Sequence, residues 1–127
     1  MRVVVDTSVL IDHLRGDRRA LGILVQAVRD GDELWSVSVV RTELLVGMRD
    51  GEEEATARLL DQLRWLDVDI ALSDAAGEIG RRFLRSHPGV DTVDYLLAAA
   101  VERLDGRLLT QNVRHFPMID GLEPAYD

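Results

Sequence analysis

The sequence predicts an α/β fold built on a short parallel sheet, and three observations carry that prediction. Short β-branched or apolar runs alternate with longer segments of helical periodicity along the whole chain. The first run, Val3-Val4-Val5, reads as a buried strand and ends abruptly at Asp6. Glycine-bearing turns punctuate the helical segments at Gly16, Gly31, Gly51, Pro88-Gly89 and Asp105-Gly106.

The elements follow in order. Strand one is expected from Arg2 to Asp6. A helix then starts near Thr7, with Val9, Leu10, His13 and Leu14 on one face, and Gly16 ends it. A second helix covers Arg18 to Arg29, and Leu34 to Val37 reads as strand two. Val39 to Arg49 is helical, with Val40, Leu44 and Met48 at helical spacing. Glu52-Glu53-Glu54 opens the next helix, where the macrodipole favours acids, and that helix is expected to reach Trp65. Asp67 to Ile70 is the expected third strand and Ser73 to Ser86 a helix. Thr92 to Leu104 carries the clearest helical pattern. Arg107 to Thr110 is strand four, and Leu122 is expected in a weak final strand.

At 127 residues the chain forms one domain, spanning 1–127, that buries roughly two-thirds of its unfolded surface. No repeat, low-complexity tract or linker interrupts it. A mean hydropathy of −0.03 is that of a soluble protein, and no apolar run approaches the ~20 residues a membrane helix needs. The N-terminus has no charged segment leading into a long apolar one, so a cytoplasmic protein without membrane contact is expected. The absence of cysteine excludes disulfides, thiol nucleophiles and thiolate metal sites. Net charge is −8, the wrong sign for bulk attraction to nucleic acid. All fifteen basic residues are arginine, which leaves guanidinium groups as the only permanent side-chain cations for phosphate.

In open α/β sheets, chemistry collects outside the carboxyl ends of the strands. Asp6 stands there, either as a site residue or as N-cap of the helix that follows. Glu43 lies one turn into the helix after strand two, at the border of its apolar stripe, where a solvated glutamate would also sit. Asp94 is the anomaly. Leu97, Ala98 and Val101 lie at i+3, i+4 and i+7 from it, so its carboxylate points with the core-facing stripe and needs compensation. A capping box with Asp91 would use both acids, but it leaves the inward direction unexplained, and a divalent cation is preferred. The turn Thr110-Gln111-Asn112-Val113-Arg114-His115 adds hydroxyl, amide, guanidinium and imidazole groups at the same edge. Oxygen ligands alone suit Mg²⁺ or Mn²⁺, and such a site without a covalent nucleophile points to phosphodiester hydrolysis by a metal-activated water.

With those residues in hand, the chain resembles the PIN-domain ribonucleases, and among them the VapC-type toxins of prokaryotic type II toxin–antitoxin pairs. The likeness rests on Val5 through Ile11, Ser38 through Gly47, Asp94 through Ala100, and Leu109-Thr110-Gln111-Asn112 running to Phe116 and Gly121-Leu122. It implies an α/β/α sandwich and a Mg²⁺-dependent endoribonuclease, with Mn²⁺ able to substitute, that cuts structured RNA such as tRNA or rRNA. It further implies a homodimer held in check by a small VapB-like antitoxin. Asp6, Glu43 and Asp94 match the family's core acids as catalytic and metal-binding residues, and Thr7 or Ser8 would support the first carboxylate. Thr110 and Asn112 belong to the family's Thr-x-Asn element. His115 stands where many relatives carry a fourth acid; it leaves a second metal position open, and Asp91 is a partial replacement.

Arg15, Arg41 and Arg114, with Arg18, Arg19 and Arg49, are candidates for a local RNA-binding rim. Receiver domains and haloacid-dehalogenase-type phosphatases share the first Asp but need a later lysine, which this chain lacks. The remaining alternative is a catalytically impaired PIN-like module that binds RNA or protein.

Overall fold

The structure, a computed structural model, describes residues 1–127. Four strands form one sheet of order β3-β2-β1-β4, all parallel: β1 Arg2–Val5, β2 Glu33–Val37, β3 Arg64–Leu66 and β4 Arg107–Leu109. Helices α1 (Thr7–Leu14) and α2 (Arg18–Arg29) connect β1 to β2. Helices α3 (Ser38–Val46) and α4 (Glu53–Gln62) connect β2 to β3, and α5 (Ile70–Phe83) and α6 (Thr92–Leu104) connect β3 to β4.

The order of strands decides where the layers lie. The first two connections step outward from β1 to β2 and β3, and the third returns across the sheet to β4. Right-handed crossovers therefore place α1 to α4 on one face and α5 with α6 on the other. Packing agrees: α1 contacts α2 and α3, α3 contacts α4, and α5 lies along α6, which rests on β1 and β2. Val3, Val4 and Val5 point alternately to the two faces and are all 0% exposed, so both faces are covered. The α/β/α sandwich is as expected. Leu97 and the run Ala98-Ala99-Ala100 are buried under the sheet, small residues letting α6 approach closely.

The start of β4 meets β1 with no room to spare. A Cβ on Gly106 would sit 2.5 Å from the Arg2 carbonyl oxygen, so glycine is required where α6 turns into β4. Asp105 precedes it in the left-handed region at φ 49° and ends α6.

Several expected boundaries need correction. The third strand is Arg64–Leu66 rather than 67–70, in register with Trp35–Val37, and α4 accordingly stops at Gln62. Leu66, Val68 and Ile70 alternate with acids as strand residues would, but Asp69 caps α5 by accepting the Leu72 amide at 2.8 Å, and Ile70 is 81% exposed. Helix α3 ends at Val46, before Arg49. Glu52 stands just ahead of α4, where its carboxylate accepts the Arg49 amide at 2.7 Å. No strand forms at Leu122; after the 3₁₀ turn Val113–His115 the tail stays irregular.

Candidate active site

Strand β1 sends its connection toward β2, while its other neighbour, β4, is reached from the opposite side. The crevice at the carboxyl ends of β1 and β4 is thus the topological switch point, where open α/β sheets bind ligands. Asp6 leaves β1 at that point, its amide still bonded to the Leu109 carbonyl of β4 at 2.9 Å. It occupies the N-cap position of α1, yet its side chain makes no capping bond. The carboxylate, only 5% exposed, is held instead by two hydroxyls on one oxygen. Ser8 Oγ donates to Oδ2 at 3.0 Å and Thr110 Oγ1 at 2.7 Å, while Oδ1 accepts no protein hydrogen bond. Both hydroxyls are themselves oriented. Ser8 Oγ accepts the Gln111 amide at 3.1 Å, and Thr110 Oγ1 accepts the Asn112 amide at 2.9 Å.

Asp94 arrives from the other face, in the first turn of α6. The capping box does form: Asp91 accepts the Val93 and Asp94 amides, and Asp94 Oδ2 accepts the Asp91 amide at 3.1 Å. Cap and inward placement coexist, because the cap uses Oδ2 and leaves Oδ1 without a protein donor. Asp91 is exposed and serves as the cap. His115 Nδ1 lies 3.3 Å from Asp94 Oδ2, so the imidazole leans on this carboxylate. Burial is the main force pushing the Asp94 carboxyl up to about 6. The negative charges of Asp91 and Asp6 push the same way, while the Asp91 amide and His115 pull down.

Glu43 is exposed on α3, and the Thr7 hydroxyl donates to its Oε1 at 2.8 Å. Of the two hydroxyls expected to support the first carboxylate, Ser8 does so and Thr7 is turned to Glu43. No set of three or more acidic or histidine side chains closes on one point as a finished metal cage. The donor chemistry nevertheless fits a hard cation. Two buried carboxylates keep one free oxygen each, every available side-chain ligand but His115 is oxygen, and burial pushes the Asp94 carboxyl up to about 6, a penalty on its charged form that a bound cation would offset.

The arginines divide. Arg15 is committed to Glu52 at 2.7 Å, Arg19 is held by Asp17 at 2.7 Å, and Arg41 lies over the Trp65 ring at 5.4 Å. Arg114, beside His115, is exposed and makes no ion pair.

Comparison with known proteins identifies the family. A family model described as PIN domain matches residues 3–122. Ribonuclease VapC19 of Mycobacterium tuberculosis is 40% identical over 123 residues, covering 97% of this chain and 98% of that one. Ribonuclease VapC10 of the same organism is 42% identical over 125 residues, covering 98% and 92%. Among solved structures, VapBC2 from Rickettsia felis bound to a promoter DNA fragment superposes with a TM-score of 0.79 over 100% of both chains at 19% identity. VapBC-1 from nontypeable Haemophilus influenzae gives 0.76 over 98% of each at 21% identity; at such identities the likeness is one of fold. The chain belongs to the PIN-domain family, among its VapC-type ribonucleases.

Sequence reasoning missed Ser36 and Tyr126, and it placed Gln111 at the strand edge without giving it a role. Ser36, 1% exposed, donates to the Val5 carbonyl at 2.8 Å just behind Asp6. Gln111 passes its backbone amide to Ser8, and its side chain grips the backbone of Tyr126. Tyr126 had one signal to offer, as an aromatic ring following Leu122-Glu123-Pro124-Ala125 in the irregular tail.

Proposed function

We propose that this protein is the toxin of a toxin–antitoxin pair, a Mg²⁺-dependent endoribonuclease that hydrolyses phosphodiester bonds in structured RNA such as tRNA or rRNA. The observation that carries this reading is that Asp6 and Asp94, buried carboxylates from β1 and α6, lie near enough for the charge on Asp6 to help push the Asp94 carboxyl up. Asp6 and Asp94, joined by Glu43, would hold Mg²⁺ or Mn²⁺. Such an ion supplies positive charge at the scissile phosphate and makes water acidic enough to serve as nucleophile at neutral pH.

The protein's own groups prepare that chemistry. Ser8 and Thr110 fix one oxygen of Asp6 and leave the other free, and Thr7 holds Glu43 on α3. Arg114, exposed and free of an acid partner, is placed to meet a substrate phosphate. The larger surface clefts are lined by residues other than Asp6 and Asp94. An open acidic edge suits a polymer laid across the surface better than an enclosed small molecule.

A small VapB-like antitoxin as partner is supported by the VapBC names of the structural neighbours. A homodimer and a cytoplasmic location belong to the same reading, and no helix is long and apolar enough to cross a membrane. A second reading, a binding module with impaired catalysis, draws on His115 beside Asp94. Incubation of total tRNA and rRNA with the antitoxin-free protein separates the two. Discrete fragments that need Mg²⁺ and disappear with EDTA or Asp94→Asn support the nuclease; RNA left intact with either Mg²⁺ or Mn²⁺ supports the module.

A further inference from the structure

Ala125 and Tyr126 are pinned to the turn that follows β4, and Arg19 on α2 holds Asp127 after them. Ala125 donates its amide to the Thr110 carbonyl at 2.9 Å. The Gln111 side chain behaves like the edge of a strand: Nε2 donates to the Tyr126 carbonyl at 2.9 Å, and Oε1 accepts the Tyr126 amide at 3.1 Å. The Tyr126 hydroxyl donates to Asp12 Oδ2 at 2.6 Å on α1. Its ring lies under the Arg19 guanidinium at 5.1 Å, and Arg19 also reaches the Asp127 carbonyl.

These bonds fall on a telling pair of residues. Thr110 and Gln111 are the two whose hydroxyl and backbone amide build the hydrogen-bond shell of Asp6, one directly and one through Ser8. Strand β4 is an edge of the sheet, and a tail that merely covered that edge would pair with Arg107–Leu109. The bonds of Ala125 and Tyr126 instead lie beyond the end of the strand, on the turn itself.

We propose that Ala125–Asp127 is a positioning element of the active site, with Gln111 and Tyr126 as positioning residues. The tail fixes the turn, the turn fixes the Thr110 and Ser8 hydroxyls on Asp6 Oδ2, and Asp6 Oδ1 is thereby presented to a divalent cation. Groups that orient a metal ligand from behind typically change affinity or rate by about tenfold to a hundredfold when removed. This inference rests on the reading of Asp6 as a metal ligand of a ribonuclease.

The test uses the full-length protein and the variants Gln111→Leu and Tyr126→Phe. Mn²⁺ affinity is measured by calorimetry, RNA cleavage is resolved into kcat and KM, and the thermal midpoint is recorded. In Gln111→Leu, Mn²⁺ affinity and kcat are expected to fall about tenfold while KM for RNA stays within about twofold. Tyr126→Phe, which keeps the ring under Arg19, moves both in the same direction by less, and decides the matter alone if Gln111→Leu fails to fold. Wild-type Mn²⁺ affinity and kcat in the folded variants, with only the thermal midpoint lowered, would overturn the proposal. So would a wild-type protein that binds no Mn²⁺. If the wild type binds Mn²⁺ and cleaves no RNA, weakened Mn²⁺ binding in the variants still supports the positioning role, and the ribonuclease reading is what fails.

Discussion

The Thr110 hydroxyl donates to Asp6 Oδ2 at 2.7 Å across 104 positions of chain, joining the ends of β4 and β1 at the one place where the sheet changes direction. Thr110 is 0% exposed and its oxygen also accepts the Asn112 amide. Thr110→Val preserves shape but removes a donor to a carboxylate and an acceptor for an amide. The loss is expected to cost about 2 kcal/mol, read as a lower urea midpoint, and to reduce RNA cleavage. Thr110→Ser restores both bonds and is expected to recover most of the loss. Equal stability and activity in Thr110→Val would show that the hydroxyl does not hold Asp6.

Asp94 makes stability depend on pH in an unusual direction. Its carboxyl keeps a proton up to about 6 in the folded protein and releases it near 3.8 in the unfolded chain. Between those values the folded state binds more protons, so the contribution of this group to stability falls as pH rises through the window. Above about pH 7 the difference amounts to roughly 3 kcal/mol at most. In metal-free protein, Asp94→Asn is therefore expected to gain stability over wild type as pH rises from about 4 to about 7, while an Asn oxygen still accepts the Asp91 amide. Added Mg²⁺ should close the gap by stabilising the wild type alone. Denaturation curves that run parallel with pH would contradict the burial of this carboxylate.

Gly106 tests the close seam between α6 and β1. Gly106→Ala forces a methyl against the Arg2 carbonyl, whose position the β1 ladder fixes. A loss of about 1–3 kcal/mol is expected, visible as a lower thermal midpoint. A neutral substitution would mean the seam relaxes freely.

The parts of this fold legible in the sequence are those with a strong local signal. The unbroken valines of β1 and the dense apolar stripe of α6 announce burial on their own. Strand β3 was misplaced because its identity depends on pairing with β2: Arg64-Trp65-Leu66 carries no more strand character than the alternation after it, and the Asp69 cap settles the matter only in three dimensions. The inward direction of Asp94 followed from helical spacing. The Asp91–Asp94 spacing also offered the capping box, and the structure forms it; that cap and inward placement coexist, and that His115 leans on Asp94, did not follow, since each depends on which carboxylate oxygen faces which donor. The division of labour between Thr7 and Ser8, and the grip of Gln111 on Tyr126, depend on side-chain directions that spacing does not encode.

On the proposed function, Asp6 and Asp94 together hold a divalent cation. Calorimetric titration of Mn²⁺ into wild type, Asp6→Asn and Asp94→Asn, each shown to be folded, tests it most directly. The account predicts saturable binding by the wild type and its loss in both variants. Undiminished binding in both would contradict it.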